Sequence, residues 1–392
     1  MITGLTALRG IAAMLVVLFH FHLFVANILP KGTSAIHIVE KLYLMVDLFF
    51  ILSGFVIYHV YGSSFAHSFS ITKFRQFIVA RFARIYPLHF FTLLLMLGLY
   101  GIMYYTQTFN SMFDVNYDVS ALIPQLLLIQ ALGIHSEATW NSPSWSISVE
   151  WWVNMCFPLL VFLMFQGKRW GKVLVLTMVI LGYLAIIFHF QPEFWRVRWA
   201  LFGIPESVPI PMHMLDITTG AALLRCFCGF MLGMLIYDSY KYFKDKNGFS
   251  SGNWSLCFCI ILLIGWSFEI LNDLFSVLIF ALLVLNIAAN QGKMERVLEI
   301  PILKYLGEIS YSLYLLHMPV LFAYVGFRRI LIPNDLNDLG LGYQMSLPQA
   351  WGLAFLLITI SLLLSVISYR YLEDPARRLI KTKLMPVVIE DV

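Results

Sequence analysis

The sequence predicts an all-α polytopic membrane protein with about ten transmembrane helices. Of its 392 residues 60% are hydrophobic and only 12% charged, whereas a soluble domain carries about a quarter charged residues. Mean hydropathy is +0.80. The apolar residues also gather in runs of about 18 to 25, the length that a ~30 Å hydrocarbon core requires.

Those runs fall at 5–28, 38–61, 85–106, 149–167, 172–190, 217–237, 254–271, 273–291, 305–330 and 348–371. The first continues to about Asn27 without a small-residue cleavage pattern, so it reads as a membrane helix and not as a signal peptide. A further segment at 119–133, VSALIPQLLLIQALG, is short and holds Pro124. It is an eleventh crossing or a re-entrant or interfacial piece.

Charge favours the second reading. With an even number of crossings and a cytoplasmic N-terminus, the basic residues outside the spans lie inside, save Lys31, Lys41, Arg196, Arg198, Arg328 and Arg329. Both termini are then cytoplasmic, with a membrane domain over 1–371 and a tail over 372–392. The net charge of +4 is accounted for by topology and does not call for nucleic acid. The cysteines lie in apolar runs without zinc-site spacing, so no metal centre is expected.

Ionisable groups inside spans are candidates for function, because each costs about 2.5–3.5 kcal/mol at a helix centre and needs a partner or a cavity. The first run, LTALRGIAAMLVVLFHFH, holds Arg9 near one end and His20 well inside. Eleven residues return His20 to within about 20° of the Arg9 face, roughly 16 Å deeper. Arg9 either snorkels to headgroups or faces a cavity mouth. The second run turns back antiparallel and places Asp47 near the depth of His20. A carboxylate there would hold the imidazole in one tautomer and make a general base of it, or simply tie two helices together.

Ser53, Gly54 and Phe55 follow on that same run, suited either to close helix packing or to leaving room for a substrate chain. In RQFIVARFARIYP, Arg81 and Arg84 are three apart on a helical face and can grip a phosphate bidentately. In NSPSWSISVEWW and just before it, Trp140, Trp145, Trp151 and Trp152 fit an interfacial aromatic belt, and Ser148 and Glu150 accompany them. Aromatic rings beside a carboxylate also suit a sugar, stacked on a ring face with its hydroxyls hydrogen-bonded. Ser310, Tyr314 and His317 form one polar stripe, which faces a bundle interior and not lipid.

The ordered set of Arg9 and His20, DLFFILSGF, Arg81-x-x-Arg84 before IYP, WSISVEWW, SYSLYLLHMP and YRYLEDPARR resembles the acyltransferase 3 family of integral membrane acyltransferases over essentially the whole chain. The resemblance implies O-acylation, usually O-acetylation, of an extracytoplasmic carbohydrate such as lipopolysaccharide O-antigen or an exopolysaccharide. Acyl-CoA, most often acetyl-CoA, serves as the cytoplasmic donor, with no permanently bound cofactor. It implies a multi-pass protein of the bacterial inner membrane, in contact with lipid and with envelope-polymer assembly partners. Some members carry a fused SGNH esterase-like domain, which is not expected here.

On this reading the catalytic residues are His20, Asp47 and Glu150, and the donor site is built from Arg9, Arg81, Arg84, Ser53, Gly54 and Phe55. Trp145, Ser148, Trp151, Ser310, Tyr314 and His317 line the acceptor side or the cavity. Two other classes fit the same residues: a proton-coupled transporter or exporter of an envelope precursor, and a scaffold subunit whose polar residues are structural.

Overall fold

A computed structural model of the chain describes residues 2–24, 28–29, 33–107, 117–166, 168–201, 214–244, 253–289, 292–331 and 346–385. Among the described residues there are helices and no strands, and eight helices are long and apolar enough to cross a membrane. The expected runs at 254–271 and 273–291 form shorter apolar helices, Trp254–Ser267 and Asp273–Ala289. Lys31 and Lys246, both used in the charge reading, lie outside the described residues.

Six helices build the interior of interest: α1 (Thr3–Phe24), α2 (Met45–Phe65), α3 (Ile71–Tyr105), α4 (Ser144–Gln166), α5 (Ala222–Phe243) and α6 (Ser310–Leu331). Helix α3 differs from expectation by starting fourteen residues before the apolar run. Ser70 accepts the Lys73 amide as its N-cap, and the basic stretch continues without a break through Pro87 into the apolar part. Its 35 residues extend about 52 Å, more than the hydrocarbon core needs. Arg81 and Arg84 are therefore held on a rigid helix and not on a loop. The run at 305–330 is divided at Ile309 between Pro301–Glu308 and α6, which makes Ser310 the first residue of α6.

Segment 119–133 does not cross. It holds a single turn at Val119–Ala121 and a five-residue helix Leu122–Leu126, about 7.5 Å long where ~30 Å is required. It folds back against α4, with Gln125 Nε2 donating to the Thr139 carbonyl at 2.7 Å. Leu128 stands at φ 56, a conformation a leucine adopts only when its surroundings hold it there. Its carbonyl accepts from Ser148 Oγ at 2.7 Å and from Trp152 Nε1 at 2.8 Å.

Small residues bring backbones into contact where the site is built. A Cβ on Gly54 of α2 would lie 1.9 Å from the Phe230 carbonyl oxygen of α5, and one on Gly233 would lie 2.1 Å from the Ile51 oxygen. A Cβ on Gly10 of α1 would lie 2.6 Å from the Gly307 nitrogen. Only glycine permits these approaches, and each fixes the height of its helix neighbour.

Candidate active site

The Gly10–Gly307 contact sets Arg9 at the C-terminal end of helix Pro301–Glu308. Its Nη2 donates to the Gly307 carbonyl at 2.8 Å and its Nε to Ser310 Oγ at 3.1 Å. A cation there complements a helix carbonyl end. Arg9 thus turns inward and does not snorkel.

Arg81 and Arg84 converge on the same space. Arg81 Nη2 donates to Glu150 Oε1 at 2.6 Å, and Ser53 Oγ donates to the same oxygen at 2.7 Å. Arg84 pairs with Glu373, whose second oxygen accepts from Ser312 Oγ at 2.7 Å. Glu373 closes a π-helical turn, Tyr369–Glu373, a local re-aiming of the chain that recurs at functional sites. Arg84 also stands 5.6 Å above the Tyr311 ring.

Between them lies a cavity of about 180 Å³ lined from α1, α2, α3, α4 and α6. Arg9, Arg81, Arg84 and Glu150 form its charged middle, His59 and Val60 one end, and Phe49, Ser146 and Tyr314 the other. A guanidinium offers five donors. Arg81 Nε is buried without a hydrogen-bond partner. Such a donor carries a free-energy penalty that a bound anion removes.

Beyond Tyr314 the polar stripe continues to a pair of imidazoles. Ser146 Oγ and Tyr314 OH are 2.8 Å apart. One turn on, His317 Nε2 lies 3.1 Å from His20 Nδ1. His317 Nδ1 lies 3.2 Å from the Leu313 carbonyl, and His20 Nδ1 lies 3.1 Å from the Val16 carbonyl. Carbonyl oxygens only accept, so both Nδ1 atoms carry the hydrogen. His317 Nε2 then accepts from His20 Nδ1–H.

Several expected placements are corrected. Asp47 does not orient His20, because Arg225 takes both carboxylate oxygens, Nη2 to Oδ2 at 2.6 Å and Nε to Oδ1 at 3.0 Å. Gly54 packs on α5 and leaves Ser53 and Phe55 to line the cavity. Glu150 pairs with Arg81 and accepts from Ser53 in the charged middle of the cavity, among the arginines and not among the tryptophans. Trp140 is 1% exposed, so it is no belt residue. Trp145 sits against Phe50 and under the Arg225 guanidinium at 5.4 Å, Trp151 packs on Phe82, and Ser148 holds the Leu128 turn.

Glu373, Tyr311 and Arg225 are not among the residues expected at the site from the sequence. Arg225 was detectable as an arginine within a span. Nothing local marked the other two as neighbours of Arg84.

A family model described as "Acyltransferase domain" matches residues 2–370. Acyltransferase MdmB of Streptomyces mycarofaciens is 26% identical over 96% of this chain and 92% of its own length. Protein 2 in the picA locus of Rhizobium radiobacter is 31% identical over 43% of this chain and 81% of its own. A Staphylococcus aureus strain COL protein named an O-acetyltransferase is 22% identical over 96% of this chain, which spans 57% of that protein's length. No solved structure matches the chain.

Proposed function

The chain belongs to the acyltransferase family whose domain spans residues 2–370, and from that membership we propose O-acyl transfer, acetyl above all, from cytoplasmic acyl-CoA to a hydroxyl of an extracytoplasmic carbohydrate such as lipopolysaccharide O-antigen or an exopolysaccharide. The observation that supports a CoA donor is the convergence of Arg9, Arg81 and Arg84 on one cavity, with the unpartnered N–H of Arg81 turned to no protein acceptor. Phosphates are the anions that several guanidinium groups hold best.

In this reading the donor's phosphates lie among the three arginines and the pantetheine arm rises past Ser53 and Phe55 toward Tyr314. The rise from Arg9 to His20, about 16 Å, is then spanned by that arm. The thioester carbon comes to rest beside His20. His20 Nε2 takes the proton of the acceptor hydroxyl as the hydroxyl oxygen bonds to the thioester carbon. The C–S bond breaks, and the thiolate receives the same proton from His20, leaving the ester and free CoA. Glu150 and Glu373 hold Arg81 and Arg84 in place between turnovers.

The acceptor enters from the opposite side of the membrane, with segment 119–133 and the start of α4 at its entrance. Both chain termini are cytoplasmic in the bacterial inner membrane.

The test is purified protein in lipid vesicles, supplied with isotope-labelled acetyl-CoA and an envelope glycan. Mass spectrometry then reads acetyl esters on the glycan, and the cell-surface glycans of strains with and without the protein are compared. Label on a glycan hydroxyl supports the reading. Substrate-coupled proton flux without CoA, and no label, would replace it with transport.

A further inference from the structure

We propose that His317 is the positioning residue for His20: it accepts the His20 Nδ1–H, fixes the Nε2 lone pair toward the reacting hydroxyl and steadies the imidazolium formed during transfer. This inference rests on the reading of His20 as general base.

The carbonyls beside the two rings assign the hydrogens of the pair. The Leu313 carbonyl at 3.2 Å draws the His317 hydrogen to Nδ1, which makes Nε2 an acceptor. Nδ1 of His20 meets that acceptor at 3.1 Å and the Val16 carbonyl at 3.1 Å, so it must donate. The carboxylate that the sequence offered for this task, Asp47, is committed to Arg225. His317 is fully buried, and the rings of Phe19 and Tyr314 pack against the pair. A histidine therefore stands where a carboxylate orients the base of a hydrolase triad. A neutral acceptor suits this depth, since an unpaired carboxylate inside the bundle would carry a permanent desolvation cost.

The backbone that carries His317 is itself held. Pro319 has no N–H, which releases the Leu315 carbonyl from its helical bond. Asn141 Nδ2 donates to that carbonyl at 3.0 Å. The segment leading into α4 thus pins the turn on which His317 stands.

During transfer the hydroxyl proton passes to His20 Nε2 while Nδ1–H stays on His20, its hydrogen bond to His317 strengthening as the ring gains charge. The proton then leaves Nε2 for the CoA thiolate. His317 ends as it began, and no further reactant is needed.

Steady-state acetyl transfer and CoA binding are measured for His317→Leu, His317→Gln and His20→Ala. The Gln side chain places an amide oxygen near the position of the His317 Nε2 acceptor. Loss of a hydrogen bond to a charged group predicts a kcat about 10- to 100-fold lower for His317→Leu, with KM for acetyl-CoA and CoA binding within about twofold, since His317 lies outside the arginine end. His317→Gln regains most of the loss. Wild-type kcat in His317→Leu overturns the inference, as does His317→Gln no better than His317→Leu with CoA binding intact.

Should both substitutions abolish folding, 15N spectra of the wild-type protein in nanodiscs decide. An Nδ1–H tautomer for His20 is expected, and an Nε2–H tautomer overturns the proposal. Normal transfer by His20→Ala would bring down the general-base reading with it. An inactive His20→Ala beside a fully active His317→Leu would bring down this inference alone.

Discussion

Asp47 and Arg225 form a bidentate ion pair in the bundle interior, 2.6 and 3.0 Å across its two hydrogen bonds, with 0% and 1% of each residue exposed. It joins the start of α2 to the start of α5. Lys41, Tyr43 and the Leu215 amide similarly surround Asp273 nearby. Helix α2 reaches the cavity through Phe49, Ser53 and Phe55, so the pair sets the height of a cavity wall without touching the chemistry.

Removing one partner leaves a buried charge uncompensated. Asp47→Ala should cost about 3–5 kcal/mol of stability, read as earlier thermal unfolding in detergent. Replacing both partners, Asp47→Leu with Arg225→Leu, should recover most of that loss. Equal damage in the single and double variants would show that the pair is not what holds the helices.

Backbone contact at Gly10 is tested by adding one methyl group. Gly10→Ala forces α1 from the Gly307 backbone, where the new Cβ would lie 2.6 Å from the nitrogen, and should cost about 1–3 kcal/mol. Arg9 loses its seat at the Gly307 carbonyl, so KM for acyl-CoA rises as well. Gly98→Ala, with nothing within 4 Å of its Cβ, is the control and should leave stability and KM within the normal scatter of surface changes.

Asn141→Leu strands the Leu315 carbonyl that Pro319 releases. An unmet buried acceptor costs about 1–3 kcal/mol, measured as a shift in thermal unfolding. Unchanged unfolding would mean that water or another donor serves that carbonyl.

Arg81→Ala removes a guanidinium from the charged middle of the cavity. If phosphates bind there, KM for acyl-CoA rises about 10- to 100-fold with a much smaller change in kcat, as loss of uniform binding predicts. A fall in kcat at constant KM would place Arg81 in the chemical step.

The local features of this site were legible in the sequence and the long-range ones were not. Helical spacing alone placed Arg9 with His20 on one face and paired Arg81 with Arg84, because a period of 3.6 residues is a property of the segment itself. Matching depths brought Asp47 to the level of His20. Depth says nothing about the direction a side chain takes around the helix axis, and that direction is set by the contacts of Gly54 on α2 and Gly233 on α5 across the α2–α5 seam.

The partners that build the site and its walls lie far apart in the chain. His20 meets His317 across 297 residues, Arg84 meets Glu373 across 289, and Arg225 meets Asp47 across 178. Apolar run length located the helices but missed the start of α3, since its amphipathic first turns carry too many basic residues to look like a span. Segment 119–133 was legible as an exception through Pro124 and its shortness. Its return against α4 became evident only from the donors on Leu128.

The most direct test is labelled acetyl transfer by purified His20→Ala protein whose CoA binding is measured in parallel. With His20 as the base, kcat falls about 10²- to 10⁴-fold while CoA binds as to the wild-type protein. Near-normal turnover by His20→Ala would contradict the account.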